Sequence, residues 1–359
     1  MTHTAAWPSF LTAARGGTPE RVPTALIIDS PWMPGFAGMN TLDFFLYPDE
    51  WLKTHLEVLD RFPDVVFLPG FWVEYGMANE PSAYGSALMW HEDSPPGMRH
   101  LDLPLEAWGD LPRPDPETDG LMPLTLRRLE RLERGGLPEP HRIHFAAARG
   151  PLTLATHVLG TTTFLEATAG EPEAAHAALD AFADVVLAFL RAQVERLREP
   201  LGILLLDDIP GMLSPRSFEA MAVPYLKRIL DAFDGLIRIY HNDTPCPHLL
   251  SRIGLLPFEV WNFSHAMDIA AVREAVGPEM ALLGNVAPLD TLARGTPEQV
   301  LVEARSCVEK AAPQGAFILS AGGGASPGTP AENIDAMARA AAEWTRPGRP
   351  GSRSPVPSS

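Results

Sequence analysis

A single (β/α)8 barrel is the fold class that the sequence predicts, on three observations. Eight short apolar, β-branched runs alternate with helical segments along the chain. Capping residues and prolines mark several helix starts. Polar and ionisable residues gather at the C-terminal ends of the apolar runs, the end at which a barrel carries its chemistry. Eight parallel strands also close into a barrel more economically than they lie in one open sheet.

The elements follow in order. The strand runs are Val22 to Asp29 (VPTALIID), Val65 to Glu74 (VVFLPGFWVE), Arg142 to Gly150 (RIHFAAARG) and Gly202 to Asp208 (GILLLDD). They continue with Leu236 to Asp243 (LIRIYHND), Phe258 to His265 (FEVWNFSH), Ala281 to Asn285 (ALLGN) and Ala316 to Gly324 (AFILSAGGG). The clearest helix reads EPEAAHAALDAFADVVLAFLRAQVERL, with apolar residues at helical spacing and basic residues late. Ser214 before Pro215 is an N-cap with proline in the first helical position. Thr296, Pro297 and Gln299 make a capping box, and Thr329, Pro330 and Glu332 repeat the scheme. Residues 1–20, with Trp7, Phe10 and Leu11, read as a helical extension. Residues 21–346 form the barrel, and residues 347–359 (GRPGSRSPVPSS with its flank) are expected to be disordered for lack of apolar anchors.

Composition narrows the function classes. The chain has 359 residues, 46% hydrophobic, enough for a large core. Its formal net charge of -17 repels nucleic acid and anionic membrane, and no basic run reverses this. No stretch approaches the roughly 18 apolar residues of a membrane span. The two cysteines, Cys246 and Cys307, are far apart, so no disulfide framework is expected and a reducing cytoplasm fits.

Candidate site residues come from the strand ends. His241 and Asp243 are two apart and share one face of a strand, suited to a metal, to acid–base work or to a hydrogen-bonded pair. Asp207 and Asp208 are adjacent and face opposite ways; Asp208 is the expected inward one, with Asp207 capping a helix or pairing at the rim. Asn262 and Ser264 point together, and His265 beyond them suits proton transfer near neutral pH. Asp29 and Glu74 each need a cation, a metal or water. The glycines around Gly323 let backbone amides approach an anionic group. Trp32, Met33, Phe36 and Met39 read as a lid over the mouth. Asn285 is expected to aim its amide into that mouth. The expected assignments are His241, Asp208 and His265 for catalysis. Asp29, Trp32, Asn262, Asn285 and Gly323 are assigned to substrate, and His241, Asp243 and Glu74 to a metal.

Four ordered stretches carry a resemblance: GPLTLATHVLGTTTFLEA, GMLSPRSFEAMAVPYLKRI, LLGNVAPLDTLARGTPEQV and ILSAGGGASPGTPAENIDAM. They are similar to the uroporphyrinogen decarboxylase superfamily over most of residues 20–345. That superfamily holds the decarboxylase and the zinc-dependent methyltransferases that move methyl groups between corrinoid proteins and thiols. The resemblance implies a (β/α)8 barrel. The decarboxylase has a basic segment after its first strand; here ALIIDSPWMPGFAGMN contains no basic residue, so a polycarboxylated tetrapyrrole is not the expected substrate. The methyltransferases hold zinc with His-x-Cys after the fifth strand and a cysteine after the eighth. Here His241 is kept, Asp243 stands at the first cysteine position and Gly323 at the second, with Cys246 nearby as a substitute if its loop folds back.

The resemblance therefore implies metal-assisted methyl transfer or demethylation on a small molecule, with zinc first and iron or manganese as the harder alternatives. It also implies a corrinoid protein as partner, and a homodimer, as is common in that family. The alternative is a decarboxylase or other lyase, with or without metal, in which Asp208 orients the substrate and His241 or His265 moves the proton. A non-catalytic binding barrel is the third reading.

Overall fold

The structure, a computed structural model, describes residues 6–344; the expected disordered tail at 347–359 lies outside the described residues. The strands are β1 (Thr24–Ile27), β2 (Val65–Leu68), β3 (Phe145–Arg149), β4 (Gly202–Leu206), β5 (Ile237–Asn242), β6 (Val260–Phe263), β7 (Ala281–Val286) and β8 (Phe317–Ala321). All pairings among them are parallel, in the order β2-β1-β8-β7-β6-β5-β4-β3, which is the cyclic order of a (β/α)8 barrel. The ladder is open between β2 and β3, the two strands separated by the longest connection. That connection carries a small antiparallel hairpin, Ala87–Met89 with Gly97–Arg99.

Alternation along each strand sorts two cores. Ala25, Ile27, Val66, Leu68, Phe145, Ala147, Leu204, Ile239, Val260, Leu283 and Ile318 fill the barrel. Leu26, Phe67, Ala146, Leu205, Tyr240, Trp261, Leu282 and Leu319 face the surrounding helices. The first helix, Ala6–Ala14, closes the N-terminal end: Phe10 and Ala13 are buried with the barrel interior, and Trp7 packs on His144 and Phe145. No described helix is long and apolar enough to cross a membrane.

Two element boundaries differ from the sequence reading. The second strand stops at Leu68, before Pro69, which has no N–H to give a ladder, so Glu74 is carried by a loop rather than a strand end. The last helix starts at Ala331 with Pro330 in the N-cap position, which has no side-chain acceptor to offer. The Thr329 hydroxyl is already donated to Ser326 O. By contrast, Ser214 accepts from Ser217 N, and the Thr296–Gln299 capping box is complete.

Candidate active site

The parity that fills the barrel also aims its last residues into the mouth. Leu204 and Leu206 point inward on β4, so Asp208 is the next inward position; Ile237 and Ile239 on β5 lead to His241 and Asp243. By the same count Asn262 follows Val260, Arg149 follows Ala147, and Asp29 follows Ile27. A cavity of about 150 Å³ lies there, lined by Asp29, Arg149, Asp208, His241 and Asp243 with Met77, Thr153 and Leu206. A larger cavity of about 360 Å³ sits at the opposite end, against Thr24, Val65 and Asp335, but no set of ligating side chains converges on it among the described residues.

Asp208, His241 and Asp243 converge: one ligand atom from each lies within 4.8 Å of the others. His241 Nε2 is 3.5 Å from Asp208 Oδ1, which also accepts from Asp243 N at 3.0 Å. On the far side of the ring, His241 Nδ1 is 2.7 Å from Asn262 Oδ1. Asn262 Nδ2 donates to Leu283 O and Ala321 O, so its Oδ1 must face the imidazole. Nδ1 then carries a proton, and Nε2 is the ring nitrogen that faces the two carboxylates, the orientation of a metal-ligating histidine. Burial and then the charge on Asp208 raise the Asp243 carboxyl above its ordinary range; His241 and His265 lower it. Gly323 closes the same corner: a Cβ there would stand 2.9 Å from Asp243 Oδ2, and its φ of 142° suits glycine.

Asp207 faces the other way. It accepts from Leu152 N, Thr153 N and Thr153 Oγ1, satisfying the first amides of helix Pro151–Leu159. Burial pushes its carboxyl up to about 7, against those hydrogen bonds. Gly150 is required there, since a Cβ would fall 2.3 Å from Asp207 Oδ2.

Beside this wall, at the open seam between β2 and β3, the buried Arg149 donates from Nη2 to Glu74 Oε2 at 2.7 Å. Glu74 Oε1 accepts from Ser30 N, and Glu80 Oε1 accepts from Arg149 N. The guanidinium also lies over the Trp72 ring, 4.8 Å from its centroid. Burial, and then the Glu74 charge, push Asp29 up to about 8.

Several expected site residues stand elsewhere. Glu74 does not join the metal set, because both of its oxygens are taken by Arg149 and Ser30. Asn285 does not open into the mouth: its Nδ2 donates to Ser264 O and Met267 O, and Cys307 Sγ donates to its Oδ1. Ser264 O also accepts from Met267 N, so the Asn285 amide clamps a turn after β6 that its own backbone closes. Trp32 is 1% exposed, packs on Phe36 and donates to Thr329 O, so it anchors its loop rather than covering the cavity. Asn262 supports His241, with its amide fully engaged. His265 is exposed at the rim, close enough for its charge to act on Asp243. Cys246 turns away into a buried contact with Met267. Arg149 and Met77 received no role from sequence; strand parity from Phe145 and Ala147 was the signal for the first, whereas Met77 sits on a loop that no pattern positions.

A family model, "Uroporphyrinogen decarboxylase (URO-D)", matches residues 7–344. The chain belongs to this family. A methylated-thiol–coenzyme M methyltransferase of Methanosarcina mazei is 26% identical over 290 residues, covering 76% of this chain and 72% of that protein. The uroporphyrinogen decarboxylase of Gloeobacter violaceus is 32% identical over 170 residues, 45% of this chain and 46% of the relative, so the chain matches only about half the length of that enzyme. A solved structure, a methyltransferase from Methanosarcina mazei, superposes with a TM-score of 0.78 at 20% identity, over 92% of this chain and 96% of its own; it shares the fold. Relatives of both kinds are enzymes.

Proposed function

We propose that the protein is a metal-assisted methyltransferase or demethylase acting on a small molecule, with Asp208, His241 and Asp243 as the metal ligands. The convergence of these three side chains on one cavity carries the reading. The donor set fits a divalent cation on its own chemistry: an imidazole held in one orientation faces two carboxylates, one of them raised by burial and then by the charge of the other. Zinc is the first choice, and iron or manganese also suit an oxygen-rich set. Zinc in this position would lower the pKa of an incoming thiol and favour its thiolate.

The chain's own residues do the rest. Asn262 holds the His241 ring in one tautomer and orientation. Asp208 fixes the start of the 243–246 loop through Asp243 N. Leu206 and Met77 give the cavity an apolar wall that limits water. On resemblance, the methyl carrier we propose is a corrinoid protein docking at the mouth, since the cavity itself is too small for a corrinoid. The free, buried Cys246 and Cys307 suit a cytoplasmic setting.

Elemental analysis of the purified protein, followed by zinc titration, tests the reading. One equivalent of zinc is expected, with affinity falling more than about a hundredfold in His241→Ala. Tight zinc binding that survives this substitution removes it. A second reading, proton-transfer lyase chemistry without metal, is favoured by Asp29, a carboxylic acid poised near neutral pH. Turnover that persists after exhaustive chelation would select this second reading.

A further inference from the structure

Arg149 has one donor left over, and its place in the sheet says what that donor can meet. Nη2 donates to Glu74, Nε to Met77 Sδ at 3.0 Å, and the backbone N to Glu80. Nη1 has no hydrogen-bond partner among the described residues, and it is not sealed from solvent. The side chain as a whole is 4% exposed and lines the cavity, so Nη1 opens into that cavity. A free N–H on a buried guanidinium is a charge-assisted donor without its acceptor. Register aims it. Arg149, Leu206 and His241 are Cα partners across β3, β4 and β5, a row two strand spacings wide, about 10 Å. Arg149 and His241 both line the cavity, so a ligand on Nη1 has its other end towards His241. Asp29 lines the same cavity, and no ion pair joins it to Arg149 among the described residues. Burial first, and the Glu74 charge second, push the Asp29 carboxyl up to about 8, so at neutral pH it keeps an O–H to donate. Burial raises Glu80 as well, which disfavours its charged form. The segment from Asp29 to Asn40 has no basic residue, so Arg149 is the cation that a ligand reaches at this seam.

We propose that Arg149 Nη1 and Asp29 together hold the carboxylate of a short substrate acid, with the other end of that acid at the His241 corner. The inference rests on the cavity being the substrate site, and it serves the metal-assisted reading and the metal-free lyase reading alike. The cavity's volume of about 150 Å³ is that of about five liquid waters, so the acid has only a few non-hydrogen atoms.

The test is ligand-detected NMR titration of the zinc-loaded protein with propionate and propionamide, which share a shape and differ in charge. Propionate is expected to bind about tenfold to a hundredfold tighter, the range of one hydrogen bond to a charged group. The double variant Arg149→Gln with Glu74→Gln removes both charges together and strands neither, and it is expected to bring the two ligands within about threefold. Propionamide binding wild type as tightly as propionate overturns the inference. A preference that survives in the double variant also overturns it, because ligation of zinc by the carboxylate then accounts for the preference. If the double variant does not fold, metal-free wild type decides: a propionate preference of at least about fivefold supports the subsite, and its absence overturns it. A protein that takes up no zinc fails the metal-assisted reading instead, and the same metal-free titration then decides the subsite on its own.

Discussion

The two walls of the barrel mouth are built from the same residue types and resolve their charge in opposite ways. At the β2–β3 seam, Glu74, Glu80 and Asp29 surround a cation that the chain supplies, Arg149. At the β4–β5 wall, Asp208 and Asp243 meet an imidazole that Asn262 holds by Nδ1, and the charges that lower Asp243 come from His241 and His265, with no arginine or lysine among them. The seam is an internal ion cluster that closes a gap in the sheet. The other wall holds the three side chains that we propose as metal ligands. Carboxylates at strand tips therefore do not by themselves mark a metal; the deciding feature is whether the fold has already provided their counter-charge.

The largest effect that would break this contrast is on the seam. Arg149→Met leaves Glu74 and Glu80 buried without their cation, and we expect a loss of about 3–5 kcal/mol in urea unfolding. A loss below about 1 kcal/mol would mean that the seam carboxylates are neutral or solvated, and that the two walls are alike. The next effect is on the metal wall. Asn262→Ala removes the acceptor that fixes His241 Nδ1–H, and zinc affinity should fall about 10–100-fold while the three ligands remain. An unchanged affinity would mean that Nε2 is not a ligand.

Per pH unit, the smallest effect is the dependence of stability on pH. Asp29 has a folded pKa of about 8, above its ordinary value of 3.8. Its protonated form is the one that the fold favours, so its contribution is complete below the unfolded value and is lost as pH rises towards the folded one. Between pH 5 and 8 wild type should lose stability more steeply than Asp29→Asn, by up to about 1.4 kcal/mol per pH unit. Parallel pH profiles for the two proteins would show that Asp29 is ionised in the folded state and that the seam tolerates it.

Much of this was legible in the order of residues. Period-2 alternation of Leu204, Leu206 and Asp208, and of Ile237, Ile239, His241 and Asp243, sends these side chains to one face whatever the rest of the chain does. The eight strand runs, the helix caps at Ser214 and Thr296 and the absence of basic residues from 25 to 40 are equally local, because each depends on a few neighbouring residues. The fate of a polar tip was not local. Glu74 lies on a loop and takes its partner from a strand 75 positions away, so no spacing rule separates an ion pair from a ligand. Asn285 comes two after the inward Leu283, yet the carbonyls of Ser264 and Met267 capture its amide and Cys307 of the outer layer donates to its Oδ1. Alternation decides which face a side chain leaves from; only the packed barrel decides what it meets, because buried polar groups take whichever partners tertiary contact brings within hydrogen-bond reach.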